Sequence, residues 1–423
     1  VNITYLVGSR HENYGETGMA HLLEHMVFKS TTSRSNIFED LGKRGMDFNG
    51  TTSYDRTNYY ETFPANAENL KWALEMEADR MVNCLITRKD LDTEFSVVRN
   101  EMESGENSPI RTLWQRMTAA AFDWHNYGKS TIGARSDVEN VKIENLQNFY
   151  RKYYQPDNAV LLVAGKFDPT STLEQIQKAF GGIAKPTRVL EPTYTQDPVQ
   201  DGEREVTIRR TGDTQISAVF YHTPRGSHED SGAVAALSEV FASTPNGRLH
   251  KNLVEKKLAV SIMNLNMGLA EGGYVLFFAE LNKTQSLQQA RLALLQELEG
   301  LREKPVTEEE LKRAKDSLLS EIDSIINDPQ QLAVQLSESI AKGDWRLFFL
   351  QRDRIENLKL ADLQSAGLNY FKESNRTLGQ FIPTATPDRI KMPEAVDVAK
   401  LVADYKGKAA ASEGEVFDIS PAN

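Results

Sequence analysis

The chain has 423 residues, too many for one ordinary hydrophobic core, and fits two domains of roughly 200 residues each. With 40% hydrophobic and 26% charged residues it reads as a folded, water-soluble protein, neither collagenous nor largely disordered. A net charge of −11 without any Lys/Arg block excludes a phosphate-binding stripe, so nucleic acid is not an expected partner, and no apolar run approaches the ~20 residues of a membrane span.

The alternation from Val1 to Gly8 predicts a strand, followed by a polar, Gly-punctuated loop over 8–18. Met19, Leu22, Leu23, Met26 and Val27 then form a stripe of helical period running to about Lys29, with Thr17 as its candidate cap. A short helix near 36–44 precedes a hairpin of Met46–Thr52 and Thr57–Phe63. Helical patterns follow over 66–83, 88–105, 109–122 and 137–153, then a strand at Ala159–Ala164 and a helix at about 170–180. Periodicity lapses between Gly182 and Glu203, the best candidate for a domain boundary. A second pass begins with strands over 204–222 and helices at 229–243 and 247–257. Strands at 258–266 and 272–281 come next, and helices at 284–303, 307–326, 329–341 and 359–372 complete it.

The two passes look alike. Thr87, Leu91 and Glu101 are echoed at Thr307, Leu311 and Glu321, each 220 positions on (307 − 87, 311 − 91, 321 − 101). Tyr153, Tyr154 and Asn158 are echoed by Tyr370, Phe371 and Asn375, each set leading into a strand. We expect two mixed α/β domains of common ancestry at 1–190 and 200–405, with 406–423 as a tail or linker. The single cysteine, Cys84, lies in an apolar helical stretch and reads as a buried structural thiol; it excludes internal disulfides and cysteine-based metal sites.

The chemistry concentrates in the first helix. His21, Leu22, Leu23, Glu24 and His25 spell HxxEH, which puts two imidazoles on one helical face within reach of a single tetrahedral ion. Glu24 lies on an adjoining part of that face, poorly placed as a third ligand and well placed as a general base towards water. This inverted order is a zinc-peptidase motif. A carboxylate is the usual complement of two histidines in a hydrolytic site, and the helix over 88–105 offers Glu94 and Glu101, two turns apart on one face. Spacing alone does not choose between them.

The stretch from Gly8 to Thr31, with its HxxEH core, resembles the signature of the pitrilysin and insulin-degrading-enzyme family, the inverzincins. That family places its third zinc ligand 76 residues after the second histidine, which here is Glu101 (101 − 25), and an auxiliary glutamate seven residues earlier, here Glu94. The resemblance implies an α+β chain of two homologous domains, each a mainly antiparallel sheet flanked by helices. It implies a zinc metalloendopeptidase, one zinc ion per chain, acting on extended peptides or unfolded proteins. Substrate would add as a strand along Asn49, Gly50 and Thr51, where a mid-strand glycine suits close approach of another backbone.

One departure is informative. Family members built as a single domain pair carry an Arg and a Tyr in a segment of the form RExxGLxY. The best match here, Val254 to Val260, is one residue short and has Val at both functional positions. A second, non-zinc half, downstream on the same polypeptide or a separate subunit, is therefore expected to supply that pair. The start at Val1, one strand late for the family, and the tail at 407–423 suggest a piece of a longer protein. A bacterial periplasmic or envelope location, with the cytoplasm as alternative, follows from the resemblance alone. The competing reading is a non-catalytic scaffold or processing subunit of the same fold, from which the intact motif separates this chain.

Overall fold

The computed structural model describes residues 1–409, 414 and 419–421, so part of the expected tail at 406–423 lies outside the described residues. Val1–Ala385 forms one compact unit and Thr386–Asn423 another; among its described residues the latter contains one short helix, Val398–Val402, capped by Asp397.

The large unit is a duplicated α+β architecture. Its first half runs β1 (Asn2–Tyr5), α1 (Met19–Met26), α2 (Ile37–Lys43), β2 (Asp47–Thr52), β3 (Thr57–Thr62), α3 (Ala67–Asn83), α4 (Arg88–Glu106), α5 (Pro109–Ala121), α6 (Arg135–Asn140), α7 (Ile143–Tyr153), β4 (Ala159–Leu162) and α8 (Pro169–Phe180). The second runs β5 (Arg204–Arg210), β6 (Thr214–Thr223), α9 (Ser231–Ala242), β7 (Ser261–Gly268), β8 (Gly273–Asn282), α10 (Leu287–Glu299), α11 (Glu308–Ile326), α12 (Pro329–Ala341), α13 (Leu347–Glu356), α14 (Leu360–Tyr370) and β9 (Arg376–Pro383). The sheets have the orders β2-β3-β1-β4 and β7-β8-β6-β9-β5, the same four-strand pattern plus one added strand. All pairings are antiparallel except that of β5 with β9.

The duplication is visible in local chemistry. Thr87 caps α4 and Thr307 caps α11; both helices span 19 residues, end on Asn107 and Asn327, and lead into helices of 13 residues opened by Pro109 and Pro329. Asn158 donates to Tyr153 O at 3.0 Å, and Asn375 donates to Tyr370 O at 2.7 Å, locking the same turn before β4 and β9.

Each half buries its own core. Ile3, Leu22, Leu23, Met26 and Tyr59 belong to the first, and Val219, Leu237, Phe241 and Phe277 to the second. The halves also exchange a helix: α5 packs on β5, β6 and β9, while its counterpart α12 packs on β1 and β3. Leu113 and Met117 of α5 thereby join Phe220, Phe278 and Phe381 in a third cluster between the halves.

Several expectations are corrected. The continuous helix at 137–153 is two helices, broken where Val141 and Lys142 take extended backbone. The helix at 247–257 reduces to one π-helical turn, His250–Val254, and the unassigned stretch after 343 contains α13. Thr17 does not cap α1, whose N-cap is Gly18.

Glu310 completes a capping box with Thr307 and accepts from Arg248 Nε and Nη2 at 2.7 Å each; these contacts hold its carboxyl down at about 2, against burial that works the other way. A depressed carboxyl contributes stability above its ordinary value, which is lost as pH falls from about 4.5 towards about 2. Glu310→Gln should therefore be less stable than the native chain at pH 6 by urea unfolding, and the gap should shrink by pH 3.

Candidate metal centre

α1 starts at Gly18, whose φ of +89° suits glycine, and a Cβ there would lie 2.5 Å from Ile132 O. The buried Glu12 carboxylate accepts from Gly18 N at 2.9 Å and Ala20 N at 2.8 Å, satisfying two donors of the first turn. Thr17 instead turns outward, donating through N and Oγ1 to Asp137. The helix axis is thus set by a carboxylate six residues upstream.

Leu22, Leu23 and Met26 anchor α1 in the core, which leaves His21 and His25 on the face towards α4. Their Nε2 atoms converge on one atom, Glu101 Oε2, at 3.6 and 3.7 Å. These separations exceed hydrogen-bonding distance. They lie near the edge of about 3.3 Å expected for a tetrahedron with zinc–ligand bonds of 2.0–2.1 Å. One ligand atom from each residue lies within 4.8 Å of the others, so the donor set suits a zinc ion with a fourth position open. Burial, with the neighbouring His25, lowers His21 to about 4 and keeps its imidazole neutral, as a metal ligand must be.

Glu94, two turns earlier on α4, does not join this cluster. It is buried and accepts from His25 Nδ1 at 3.2 Å, while its other oxygen pairs with Lys29 Nζ. The bond fixes the His25 ring and directs Nε2 towards Glu101, the arrangement by which outer carboxylates orient metal-binding histidines. Glu94→Gln should weaken zinc binding by about 10- to 100-fold in a competition titration, with the fold intact. Unchanged affinity would leave Glu94 without this role.

Glu24 is buried beside the cluster. Thr52 Oγ1 donates to its Oε2 at 2.6 Å, and burial raises its pKa against that bond. β2 passes over it as an edge strand, with β3 on one side and no strand on the other among the described residues. Gly50 is there for Glu24: a Cβ would meet Glu24 Cγ and Phe28 Cε2, each at 3.0 Å. The strand register runs through Gly50 without a bulge, and Asn49 Oδ1 holds the Gly50 N–H at 2.9 Å. Thr51 donates to Asn58 on β3. Val254 ends the π turn and Val260 precedes β7.

Thr52, Lys29 and Glu12 escaped the sequence reading. Lys29 had a signal, one helical turn beyond His25; Thr52 and Glu12 act across strand and loop and had none. Cys84, expected as a buried thiol, follows α3 and is half-buried; desolvation is the largest of the causes that push its thiol up to about 12.

Residues 1–135 match the insulinase family, peptidase family M16, and residues 140–318 match the peptidase M16 inactive domain. The chain belongs to the M16 family. It is 31% identical over 386 residues to a protein named zinc protease PqqE from Helicobacter pylori, covering 89% of this chain and 86% of that one. The crystal structure of a protease from Helicobacter pylori superposes with a TM-score of 0.84 at 29% identity, covering 90% of this chain and 94% of that one. The fold also matches the periplasmic protease PqqL from Escherichia coli, with a TM-score of 0.72 at 20% identity, over 99% of this chain and 49% of that one. Two domains of helices and mainly antiparallel sheets are thus the M16 fold, and zinc protease is the name its relatives carry.

Proposed function

We propose that this M16 chain is the zinc-bearing half of a metalloendopeptidase that hydrolyses peptide bonds in extended peptides or unfolded proteins. The observation that carries the reading is the convergence of His21 Nε2 and His25 Nε2 on Glu101 Oε2 beside a buried Glu24. Zinc, when bound by His21, His25 and Glu101, supplies a Lewis acid and brings the pKa of water towards neutrality. Glu24 takes the proton from the attacking water and returns it to the leaving nitrogen. Thr52 holds one Glu24 oxygen, and the other accepts no hydrogen bond among the described residues. Asn49, Gly50 and Thr51 on the edge of β2 that pairs with no strand among the described residues receive the substrate backbone as an added strand, which favours extended chains over folded ones.

The Val254 to Val260 segment supports a second, non-zinc half, fused or separate, as the source of the Arg/Tyr pair. The duplicated domains are proposed at 1–190 and 200–405, residues 386–405 lying in the smaller compact unit. No helix among the described residues is long and apolar enough to cross a membrane. The bacterial periplasm or envelope, with the cytoplasm as alternative, remains the proposed location, to be read by cell fractionation.

Cleavage of a quenched extended peptide by this chain alone and with its candidate partner half, before and after chelation, tests the proposal. We expect little turnover alone, full turnover together, loss on chelation and recovery with zinc. Full turnover alone would remove the partner requirement, and none in any mixture would favour the scaffold reading.

A further inference from the structure

The second half holds a cavity of about 240 Å³ at the position that corresponds, in the duplicated fold, to the candidate metal centre of the first half. α9 packs on α11 and β7 as α1 packs on α4 and β2, and Glu321 of α11 is the echo of Glu101. α9 carries no histidine, and among the described residues the only metal-competent cluster is that of His21, His25 and Glu101. The duplicated position has lost metal chemistry and kept a pocket.

Its lining combines apolar Val234, Leu318 and Phe348 with polar Gln335, Ser339 and Lys342. The Lys342 ammonium makes no hydrogen bond or ion pair among the described residues. The carboxylates whose charge it feels, Glu338 and Asp55, are engaged elsewhere, Glu338 with Arg56 and Asp55 with Arg10 and Tyr127. Burial lowers its pKa, the mark of a cation drawn out of water without an anion of its own. The side chains of Gln335 and Ser339 likewise have no partner among the described residues. A Cβ on Gly226 would lie 2.8 Å from Lys342 Cδ, so this glycine makes room for the lysine stem. A donor-rich floor beside an apolar wall selects a small anion with an apolar body.

We propose that this cavity binds a small apolar carboxylate, a leucine-sized amino acid or the C-terminal residue of a short peptide. Lys342 and the Gln335 amide take the carboxylate, and Val234, Leu318 and Phe348 pack the side chain. Glu321, exposed on the lining, discourages dianions and favours a ligand that also carries an ammonium. The site shares no residue with the metal centre and does not rest on its assignment.

Calorimetric titration of N-acetylleucine, leucine and N-acetylleucinamide into the full chain tests this. The two acids should bind and the amide should bind at least about tenfold more weakly, the loss expected when a half-buried cation loses its anion. Lys342→Met should weaken the acids by a similar factor, and Ala235→Phe, which fills the cavity, should abolish binding; should the first variant not fold, the second carries the test. Binding should persist in a His21→Ala/His25→Ala double variant. Tighter binding of leucine than of N-acetylleucine identifies a free amino acid as the ligand, and the reverse a peptide end. No binding, equal binding of acid and amide, or loss in the double histidine variant would overturn the proposal, the last by moving the carboxylate to the metal centre.

Discussion

Glu24→Gln should retain zinc and fold while losing turnover by about 10²- to 10⁴-fold, the usual contribution of a positioned acid–base group. The substitution keeps the side chain's length and its bond with Thr52, since the amide oxygen still accepts. It also leaves His21, His25 and Glu101 untouched, so metal content measured by atomic absorption should match the native chain. What disappears is a group that takes a proton and returns it. The comparison is best made on kcat/KM with the partner half present, so that a binding defect and a chemical defect separate. Retained turnover would take Glu24 out of the reaction.

Arg80→Met should cost stability on the order of 3–5 kcal/mol, the penalty for breaking a buried ion cluster by removing one partner. Arg80, Glu61 and Glu77 are all fully buried. Arg80 donates to Glu77 Oε2 through Nε and to Glu61 Oε1 through Nη2, each at 3.1 Å, and its guanidinium lies 4.4 Å from the Tyr59 ring and 5.1 Å from that of Phe28. Burial and the Glu77 charge push the Glu61 carboxyl well above the usual range, so the guanidinium is what makes a second acid tolerable there. Because Phe28 also abuts Gly50, the cluster backs the strand that covers Glu24. Urea unfolding should show the loss, and adding Glu61→Gln and Glu77→Gln to Arg80→Met should recover part of it. If the single variant unfolds at the native midpoint, the cluster is not structural.

How much was legible differs by residue. The two histidines and Glu24 lie within one helical turn or so, where periodicity alone places them on neighbouring faces. Glu101 was different: spacing left it level with Glu94, and only the family resemblance separated ligand from auxiliary. In the structure Glu101 Oε2 lies near both Nε2 atoms, while Glu94 bonds the far nitrogen of His25 and pairs with Lys29. Gly50, where the resemblance implies room for a substrate backbone, also makes room for Glu24 and Phe28, which nothing in the sequence signals. Thr17 had the composition of a cap, but its hydroxyl went to Asp137 once Glu12 occupied the first-turn donors.

The duplication was written in helix caps and in Thr87, Leu91 and Glu101 against their echoes, because caps and apolar stripes are local and repeat with the chain. The exchange of α5 and α12 between the halves was not. Nor was the polar junction in which Arg10 bonds Asp55 at 2.7 Å and pairs with Glu271, whose other oxygen meets His125 Nε2 at 2.7 Å. Those partners are up to 261 positions apart. The sequence by itself determined most of the helices, the repeat and the HxxEH pattern, where neighbours within a few turns carry the signal. Only the tertiary structure decided which half each helix covers and which buried charges meet, since contacts between distant segments leave no periodic trace along the chain.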